Sequence, residues 1–238
     1  MSRLLALAPL AFLTTLAPDP AAAQSLQVAP LMIDLPPAST TSVLTLQTNN
    51  KEGLVVQARV FRWSQADGGE KLEKTEDVVV SPPVLIVRGG TPSTVRLVRV
   101  SKTPVSGEET YRVLIDEIPD RKSLQAGTVA LVVRQSLPVF FAGNDTHPGQ
   151  LAWKAVERKG KLVLEASNTG QRRVKLSKLS VIDENNHDLV KNGGLAYVLG
   201  GQTKAWELSG AAAGKTLTIK AESDTGPVNA SAIAGRSG

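Results

Sequence analysis

The sequence predicts an all-β protein with two domains in tandem. The 238-residue chain is poor in aromatic residues, at 4%, and its 20 Gly and 14 Pro interrupt short runs that are rich in Val, Leu and Thr. Such runs favour strands over helices, and no long helical period occurs after the first residues. The runs form two series with a polar segment between them, which predicts two β domains.

The first 23 residues match a secretory signal peptide. Met1-Ser-Arg3 supplies the charged start, Leu4 to Leu16 the apolar middle, and residues 18–23 the small residues before a cut after Ala23. The apolar run is shorter than the ~20 residues that a membrane-spanning helix needs, and no later run approaches that length. We therefore expect export, with no direct insertion of the mature chain into a membrane.

The composition limits which forces can stabilise the protein and which classes of partner it can bind. Cysteine is absent, so disulfides cannot stabilise an exported chain and hydrophobic packing must do so. The formal net charge of +5 comes from Lys and Arg residues that are scattered along the sequence. Scattered charge on an exported protein argues against nucleic acid as a partner.

The first domain is predicted over residues 24–143. Seven strand-like runs follow one another there, separated by turn signals such as Pro36-Pro37, Asn49-Asn50 and Gly89-Gly90. Seven short strands at this spacing are typical of an immunoglobulin-like sandwich. The predicted strands are 26–33, 42–48, 54–63, 77–80 with 84–87, 93–100, 110–118 and 128–141.

A second, smaller and more basic β domain is predicted over residues 151–224. Residues 144–150 are small, polar and turn-rich, and they predict a linker between the domains. Residues 225–238 are small and polar, and they predict a flexible tail. The predicted strands of this domain are 151–156, 161–167, 173–182, 196–199, 203–208 and 215–220.

The sequence contains few residues of the types that catalytic and metal sites use. Its two histidines, His147 and His187, fall in the linker and in a predicted turn, and the chain has no Cys and no pair of His at the spacing of metal ligands. The Gly-x-Ser-x-Gly motif of a serine nucleophile does not occur in the sequence. The acidic pairs Glu108-Glu109 and Asp116-Glu117 are interpreted as solvated strand ends. We predict that the protein is not an enzyme and uses no metal or other cofactor.

The most informative run is residues 128–140, a long apolar strand near the end of the first domain. Its alternation is loose, because Ala130 and Val132 on one face are as apolar as the residues on the other. Both faces are therefore candidates for burial, one in the domain's own core and one against another chain. An ordinary core strand without a partner is the alternative. Val129, Leu131, Val133 and Leu137 lie on one face of this strand, opposite to Ala130 and Val132.

Five motifs occur in a specific order in the first domain: Thr48-Asn-Asn50, Val56-Gln-Ala-Arg-Val-Phe-Arg-Trp63, Val80-Ser-Pro-Pro-Val84, Val95-Arg-Leu97 and Tyr111-Arg-Val-Leu-Ile-Asp-Glu-Ile-Pro119. Together with the apolar strand that follows, they resemble the periplasmic chaperones of pilus assembly, in the branch that serves archaic or spore-coat-type pili. The resemblance covers nearly all of the first domain, and its specificity lies in the motif order. In the second domain it is fainter and rests on residues 164–170 and 197–199.

The resemblance implies two immunoglobulin-like domains set at an angle like a boomerang, and a periplasmic location. In this family the last strand of the first domain completes the sandwich of a pilus subunit that lacks its own final strand, which is donor-strand complementation. The implied partners are pilus or coat subunits and the outer-membrane usher that receives them. No catalytic centre and no cofactor are implied. The implied subunit-binding residues are Val129, Leu131, Val133, Gln135 and Leu137.

Three positions depart from the family's pattern. Better-known members anchor the subunit's C-terminal carboxylate with an Arg and a Lys, and the matching positions here hold Met32, or an apolar neighbour, and Pro138. We leave the carboxylate anchor unassigned; Arg134 is a candidate, with a structural or solvent-exposed role as the alternative. Glu108 matches the acid of the family's interdomain ion pair, but the arginine position falls at Ala142, so the sequence predicts an incomplete pair.

Other classes of function stay open. A secreted pilus or coat subunit would lack the last strand of its immunoglobulin-like domain, whereas here that strand is present and long. A carbohydrate-binding module or periplasmic hydrolase would need surface aromatics or a catalytic pair, and the chain has three Trp and two Tyr in all. A two-domain periplasmic binding module with another partner is the fallback.

Overall fold

The structure is a computed structural model that describes residues 26–119, 132–190, 193–209, 214 and 216–235. Every regular element in these ranges is a β-strand, which confirms the predicted all-β class. A search of the described residues found no helix with the length and apolar character that a membrane crossing requires.

Ten strands form the first sandwich: β1 (Leu26–Ala29), β2 (Ile33–Leu35), β3 (Thr41–Thr48), β4 (Leu54–Ala66), β5 (Gly69–Lys74), β6 (Val78–Ser81), β7 (Val84–Val87), β8 (Ser93–Arg99), β9 (Glu108–Ile118) and β10 (Arg134–Ala142). One sheet has the strand order β1-β3-β8-β6. The other has the order β2-β10-β9-β4-β5, and β7 also pairs with β4. Alternating apolar residues of the two sheets meet in one core, in which Leu44, Leu97 and Ile115 are fully buried.

Two elements of this sandwich differ from the prediction. The predicted strand 26–33 is divided, because β1 pairs with β3 in one sheet while β2 pairs with β10 in the other. Pro30 lies at the crossing, where the lack of a backbone N–H fits a break in the ladder. β5 was not predicted, because four of its six residues are charged and all six are exposed. It pairs with β4 across a tight turn at Asp67 and Gly68, both of which have positive φ.

Seven strands form the second unit: β11 (Leu151–Arg158), β12 (Lys161–Asn168), β13 (Val174–Ile182), β14 (Ala196–Val198), β15 (Thr203–Glu207), β16 (Thr216–Ser223) and β17 (Gly226–Gly235). Their hydrogen-bonded order is β14-β13-β16-β17-β11-β12-β15. A separate core, which includes the fully buried Leu164, Leu176 and Leu217, lies within this unit.

The prediction of a flexible tail over 225–238 is wrong for residues 226–235, which form β17. This strand pairs with β16 along its length and with β11 near its end. Ala232 and Ala234 are buried in the second core, while Ile233 between them is exposed. The strand was not predicted because its buried residues are alanines, and alanine at alternate positions gives a weak hydrophobic pattern.

Candidate functional site

β10 has an open edge along its first half. It pairs antiparallel with β9 along its whole length, but on its other side β2 pairs only with residues 139–141. Within the described residues, the stretch 134–138 therefore has a hydrogen-bonded strand on one side only. The free main-chain groups of such an edge are those with which a strand of another chain can pair.

The five residues predicted to bind a subunit have different positions. Val129 and Leu131 lie outside the described residues. Val133 directly precedes β10, and its side chain is 41% exposed. Gln135 is half-buried, and its Nε2 donates a hydrogen bond to the Leu26 carbonyl oxygen at 2.6 Å.

Leu137 differs from the prediction. Its side chain is only 5% exposed and packs in the core of the first sandwich, so it is not part of an exposed binding face. Val133 has the same parity along the chain as Leu137 and the buried Val139, and it lies beyond the end of the core. The face that is buried within the first sandwich at 137 and 139 therefore becomes solvent-exposed at 133.

Asp116 is not the solvated strand end that was predicted, because its side chain is only 13% exposed. Arg59 donates to one carboxylate oxygen at 2.5 Å, and Arg134 donates to the other. Burial raises the pKa of Asp116, but the hydrogen bonds and charges of Arg134 and Arg59 outweigh it and hold that pKa below its usual range. Arg134 therefore forms an ion pair within the first sandwich, and its side chain is 61% exposed.

Glu108 is not solvated either, because its side chain is completely buried where the two units meet. Arg173 of the second unit donates from Nη1 to one carboxylate oxygen and from its backbone N–H to the other, the latter at 3.0 Å. Burial raises the pKa of Glu108, and the charge and hydrogen bonds of Arg173 oppose that change. The predicted incomplete ion pair is therefore wrong: the cation comes from Arg173 rather than from position 142.

The same arginine has two further contacts. Its Nη2 lies 2.6 Å from an Asp34 carboxylate oxygen, and its guanidinium stacks over the Phe140 ring at 3.6 Å from the centroid. Arg172, which is more exposed, also pairs with Asp34 at 3.0 Å. Asp34 lies on β2 and Phe140 on β10, so Arg172 and Arg173 tie the second unit to the sheet that contains the candidate strand.

An aromatic cluster also lies at the junction between the two units. Trp63 and Phe140 of the first unit pack against Tyr197 and Leu199 of the second. The Trp63 and Tyr197 rings meet edge to face with centroids 5.7 Å apart, and the Arg112 guanidinium covers Trp63 at 3.8 Å. Trp63 and Phe140 therefore pack at the junction between the two units.

A buried amide completes the junction. The Gln65 side chain donates from Nε2 to the Tyr197 carbonyl oxygen at 2.7 Å and accepts from the Leu199 N–H at 3.0 Å. Its backbone N–H donates to the side chain of Gln202. One glutamine side chain thus satisfies two main-chain groups of the second unit, at residues 197 and 199. No pattern in the sequence indicates this contact, which joins residues more than 130 positions apart.

The two positions that match the family's carboxylate anchor are both near this junction. Pro138 on β10 is opposite Arg112 on β9. Met32 accepts a hydrogen bond on its sulfur from the Tyr197 hydroxyl at 3.6 Å. The carboxylate anchor stays unassigned.

His187, which was considered as a catalytic or metal-binding residue, lies apart from this region. His187 Nδ1 is 3.3 Å from an Asp183 oxygen in an exposed turn of the second unit. Across the described ranges, no group of three or more His, Asp or Glu residues is arranged to hold a metal ion.

Comparison with known proteins gives one curated relative and several similar structures. An Escherichia coli (strain K12) protein described as an uncharacterized fimbrial chaperone, YcbF, is 26% identical over 108 residues. That match covers 44% of this chain and 45% of the relative, so it spans less than half the length of the curated protein.

Similar structures extend over most of the chain. A chain of the CsuC–CsuE complex of chaperone and tip adhesion subunit, from the archaic chaperone-usher Csu pili of Acinetobacter baumannii, has a TM-score of 0.70 and 21% identity. The match covers 90% of this chain and 100% of that one. The complex of the Salmonella enterica SafA pilin with the SafB chaperone gives a TM-score of 0.61 at 18% identity, covering 87% and 95%. These likenesses confirm the predicted fold of two immunoglobulin-like domains.

The family described as pili and flagellar-assembly chaperone, PapD N-terminal domain, matches residues 25–146. These residues are the first sandwich with its junction to the second unit, and they include β10 and its open edge. They make up slightly more than half of the 238 residues. The protein therefore belongs to the pili and flagellar-assembly chaperones, a family of assembly chaperones and not of enzymes.

Proposed function

We propose that the protein is a periplasmic chaperone that binds and caps pilus-type subunits by donor-strand complementation and delivers them to an outer-membrane usher. The observation that carries this proposal is the open edge of β10 at residues 134–138. A subunit that lacks its last strand can pair with this edge and with residues 129–133 before it. Main-chain hydrogen bonds contribute roughly 0.5–1.5 kcal/mol each and depend little on the subunit's sequence.

Side chains would supply the rest of the affinity. Val129, Leu131 and Val133 have the parity of the inward-facing Leu137, so in an extended strand they continue its face beyond the end of the core. Each apolar side chain that becomes fully buried contributes about 1.5–3 kcal/mol, before the cost of ordering is subtracted. Three such residues are enough to cap a subunit without an external energy source.

The place of action and the partners follow from the same proposal. Residues 1–23 are proposed as a signal peptide that directs the chain to the periplasm. The CsuC–CsuE and SafA–SafB complexes each contain a chaperone with a subunit or pilin, which makes pilus or coat subunits the expected partners here. Archaic or spore-coat-type pili are the proposed class of appendage.

The test is coexpression in a periplasm with the β-rich secreted proteins that are encoded beside this chain. We expect a subunit to copurify with the wild type and with Val132→Glu, but not with Leu131→Glu. Val132 is the matched control because it is adjacent, 49% exposed and of opposite parity. Circular dichroism and urea unfolding check that both variants are folded. Equal capture by the two variants, or no capture by the wild type, would contradict the proposal and favour another two-domain binding module.

A secreted pilus or coat subunit is the alternative function. Such a chain would polymerise when purified, whereas the proposed chaperone binds one subunit as a monomer. The presence of β10 in the first sandwich favours the chaperone, because a subunit of this kind lacks that strand.

A further inference from the structure

The sheet of the second unit ends in two strands that follow each other in the chain. β14 and β15 lie at the two ends of the strand order, so among the described residues each has a hydrogen-bonded strand on one side only. A turn joins them, in which the Gln202 N–H donates to the Leu199 carbonyl oxygen at 3.1 Å. We call the gap between these two strands, lined by residues 194–196 and 204–207, the seam.

The first unit fills part of the seam. The Gln65 amide donates to the Tyr197 carbonyl oxygen at 2.7 Å and accepts from the Leu199 N–H at 3.0 Å. Across the seam, the Ala205 N–H donates to the Gly68 carbonyl oxygen at 3.2 Å. A neighbouring strand would bind the same main-chain groups, so the β4–β5 hairpin takes the place of a strand between β14 and β15.

Beyond the hairpin the seam continues as a cleft of about 470 Å³. In an antiparallel strand every second residue directs its N–H to the same side. On the seam side, the Ala205 N–H donates to the hairpin and the Ser209 N–H donates to the Leu189 carbonyl oxygen at 2.9 Å. Glu207 lies midway between these two residues and has the same direction. Residues 205 to 209 span about 13 Å, which is room for an extended segment of about four residues.

The cleft has an apolar lining. Val190 and Trp206 are partly buried and pack against the second core, so they form its floor. Leu195 lies at its rim and is 61% exposed. A large exposed apolar residue that adjoins an apolar cleft indicates a site of interaction with another molecule.

The two acidic residues of the lining already have partners. Glu207 pairs with Lys161 at 2.8 Å, and Glu70 of β5 pairs with Arg112 at 3.5 Å. Neither carboxylate is therefore free to bind a cationic ligand. The strand edge and the apolar lining fit an extended polypeptide segment with an apolar side chain.

The seam and the open edge of β10 lie on opposite sides of the first sheet. In the strand order β2-β10-β9-β4-β5, the seam adjoins β5, whereas the open edge of β10 is on the side of β2. A subunit paired with β10 therefore does not occupy the seam. Under the proposed function, the protein that must bind the chaperone while the subunit is present is the one that receives the complex.

We propose that the seam binds a short extended segment of the partner that receives the loaded chaperone, which under the proposed function is the outer-membrane usher. The segment pairs with the Glu207 main chain as the hairpin pairs with Ala205, and it places an apolar side chain against Leu195 and Trp206. This inference rests on the proposed function and adds to it a second binding site, on the second unit.

The experiment uses the full mature chain in complex with the subunit that copurifies with it. The probe is the set of soluble periplasmic domains of the usher that is encoded beside this chain, and calorimetry measures their affinity for the wild type, Leu195→Glu and Ile233→Glu. Ile233 is the matched control, because it is a 71% exposed apolar residue of the same unit and lies on β17, away from the seam. We expect Leu195→Glu to bind roughly tenfold more weakly or worse, since it would bury a charge against the apolar segment. Ile233→Glu should bind like the wild type.

Hydrogen exchange tests the main-chain pairing. In the wild type, binding of the usher domains should slow exchange of the Glu207 amide by roughly tenfold or more, because the amide then donates to the bound segment. Peptides that cover β17 should exchange at an unchanged rate. Urea unfolding checks that both variants are as stable as the wild type, and the inference requires both the loss of affinity and the protection of residue 207.

Several results would overturn this inference and leave the proposed function standing. They are no binding of the usher domains to the wild type, equal binding by Leu195→Glu, or no protection of the Glu207 amide. Loss of the subunit from Leu195→Glu would mean that the subunit occupies the seam, and a dimer that Leu195→Glu dissociates would mean that a second copy does. The proposed function itself fails on a separate result, which is a subunit that copurifies equally with Leu131→Glu.

Discussion

Arg173 of the second unit binds both carboxylate oxygens of Glu108 of the first, one through its guanidinium and the other through its own backbone N–H. The Arg173 side chain is 3% exposed and that of Glu108 is 0% exposed. Because the backbone N–H of Arg173 takes part, the pair fixes the main chain of the second unit against the end of β9. A side-chain ion pair alone would leave more freedom, since both side chains are long and rotatable.

Replacing Arg173 by Met is expected to lower the free energy of unfolding by about 3–5 kcal/mol, because the buried Glu108 then loses the charge of the Arg173 guanidinium and keeps only the Arg172 Nε, 3.8 Å from its carboxylate. The double variant Arg173→Met with Glu108→Gln should recover part of this loss, since it removes the uncompensated charge. Urea unfolding of both proteins measures the difference. Arg172→Met is the matched control, because Arg172 is 46% exposed, and it should cost less than about 1 kcal/mol. Equal losses for the two single variants would contradict the assignment.

Replacing Gln65 by Leu is expected to cost about 2–4 kcal/mol. The Tyr197 carbonyl oxygen and the Leu199 N–H would then be buried without their present partner, and unsatisfied main-chain groups are costly. Thermal unfolding measures the effect, and cleavage by a protease between residues 143 and 150 reports whether the junction has opened. Gln57→Leu is the control, because Gln57 is half-buried on the same strand and has the same parity. Similar results for both glutamines would show that the junction does not depend on the Gln65 amide.

Two glycines in similar turns allow a matched comparison. Gly68 and Gly160 have φ of +77° and +74°, so alanine carries a similar backbone penalty of about 1 kcal/mol at each. A Cβ on Gly68 would lie 2.4 Å from the Ala205 Cβ of the second unit, whereas a Cβ on Gly160 would meet nothing within 4 Å. Gly68→Ala should therefore be clearly the more destabilising change in urea unfolding. Equal effects would mean that Ala205 can move away from the added methyl group without a measurable loss of stability.

The sequence was a good guide to strands that bury alternate apolar residues. β3, β4 and β9 were predicted within a few residues of their ends, because Val, Leu and Ile on one face of a strand give a period of two. β5 and β17 were not predicted, since one is largely charged and the other buries alanines. Both strands are stabilised by hydrogen bonds to a neighbouring strand. The pattern of apolar residues in one sequence does not show which strands pair.

The junction between the units could not be read from the sequence for a related reason. Arg172-Arg173 looks like any exposed basic pair, and the burial of Arg173 depends on Glu108 and Asp34, which lie 65 and 139 residues away. The family pattern pointed to Glu108 correctly but placed the cation at position 142. The candidate strand was recognised from its apolar face, but where the core ends along that face, between Leu137 and Val133, became evident only from the packing.

Asp116 predicts a specific dependence of stability on pH. Burial raises its pKa, but the hydrogen bonds from Arg134 and Arg59 outweigh burial, so the folded-state pKa lies below the unfolded value of about 3.9. Its contribution to stability is therefore fully present above about pH 4 and is lost as the pH falls through the folded-state pKa. Asp116→Asn should cost about 1 kcal/mol at pH 7, because the ion pairs are partly exposed.

The difference in unfolding free energy between the wild type and Asp116→Asn should shrink as the pH falls from 5 to 2, because the wild-type carboxylate becomes protonated and loses the charge that the two arginines bind. Urea unfolding at several pH values measures it, with the exposed Glu76→Gln as the control, for which we expect a small difference throughout. A difference for Asp116→Asn that stays constant across this range would contradict the prediction. The destabilisation of Asp116→Asn would then come from the lost hydrogen-bond geometry, because an amide has one acceptor oxygen where the carboxylate has two, and not from the lost charge.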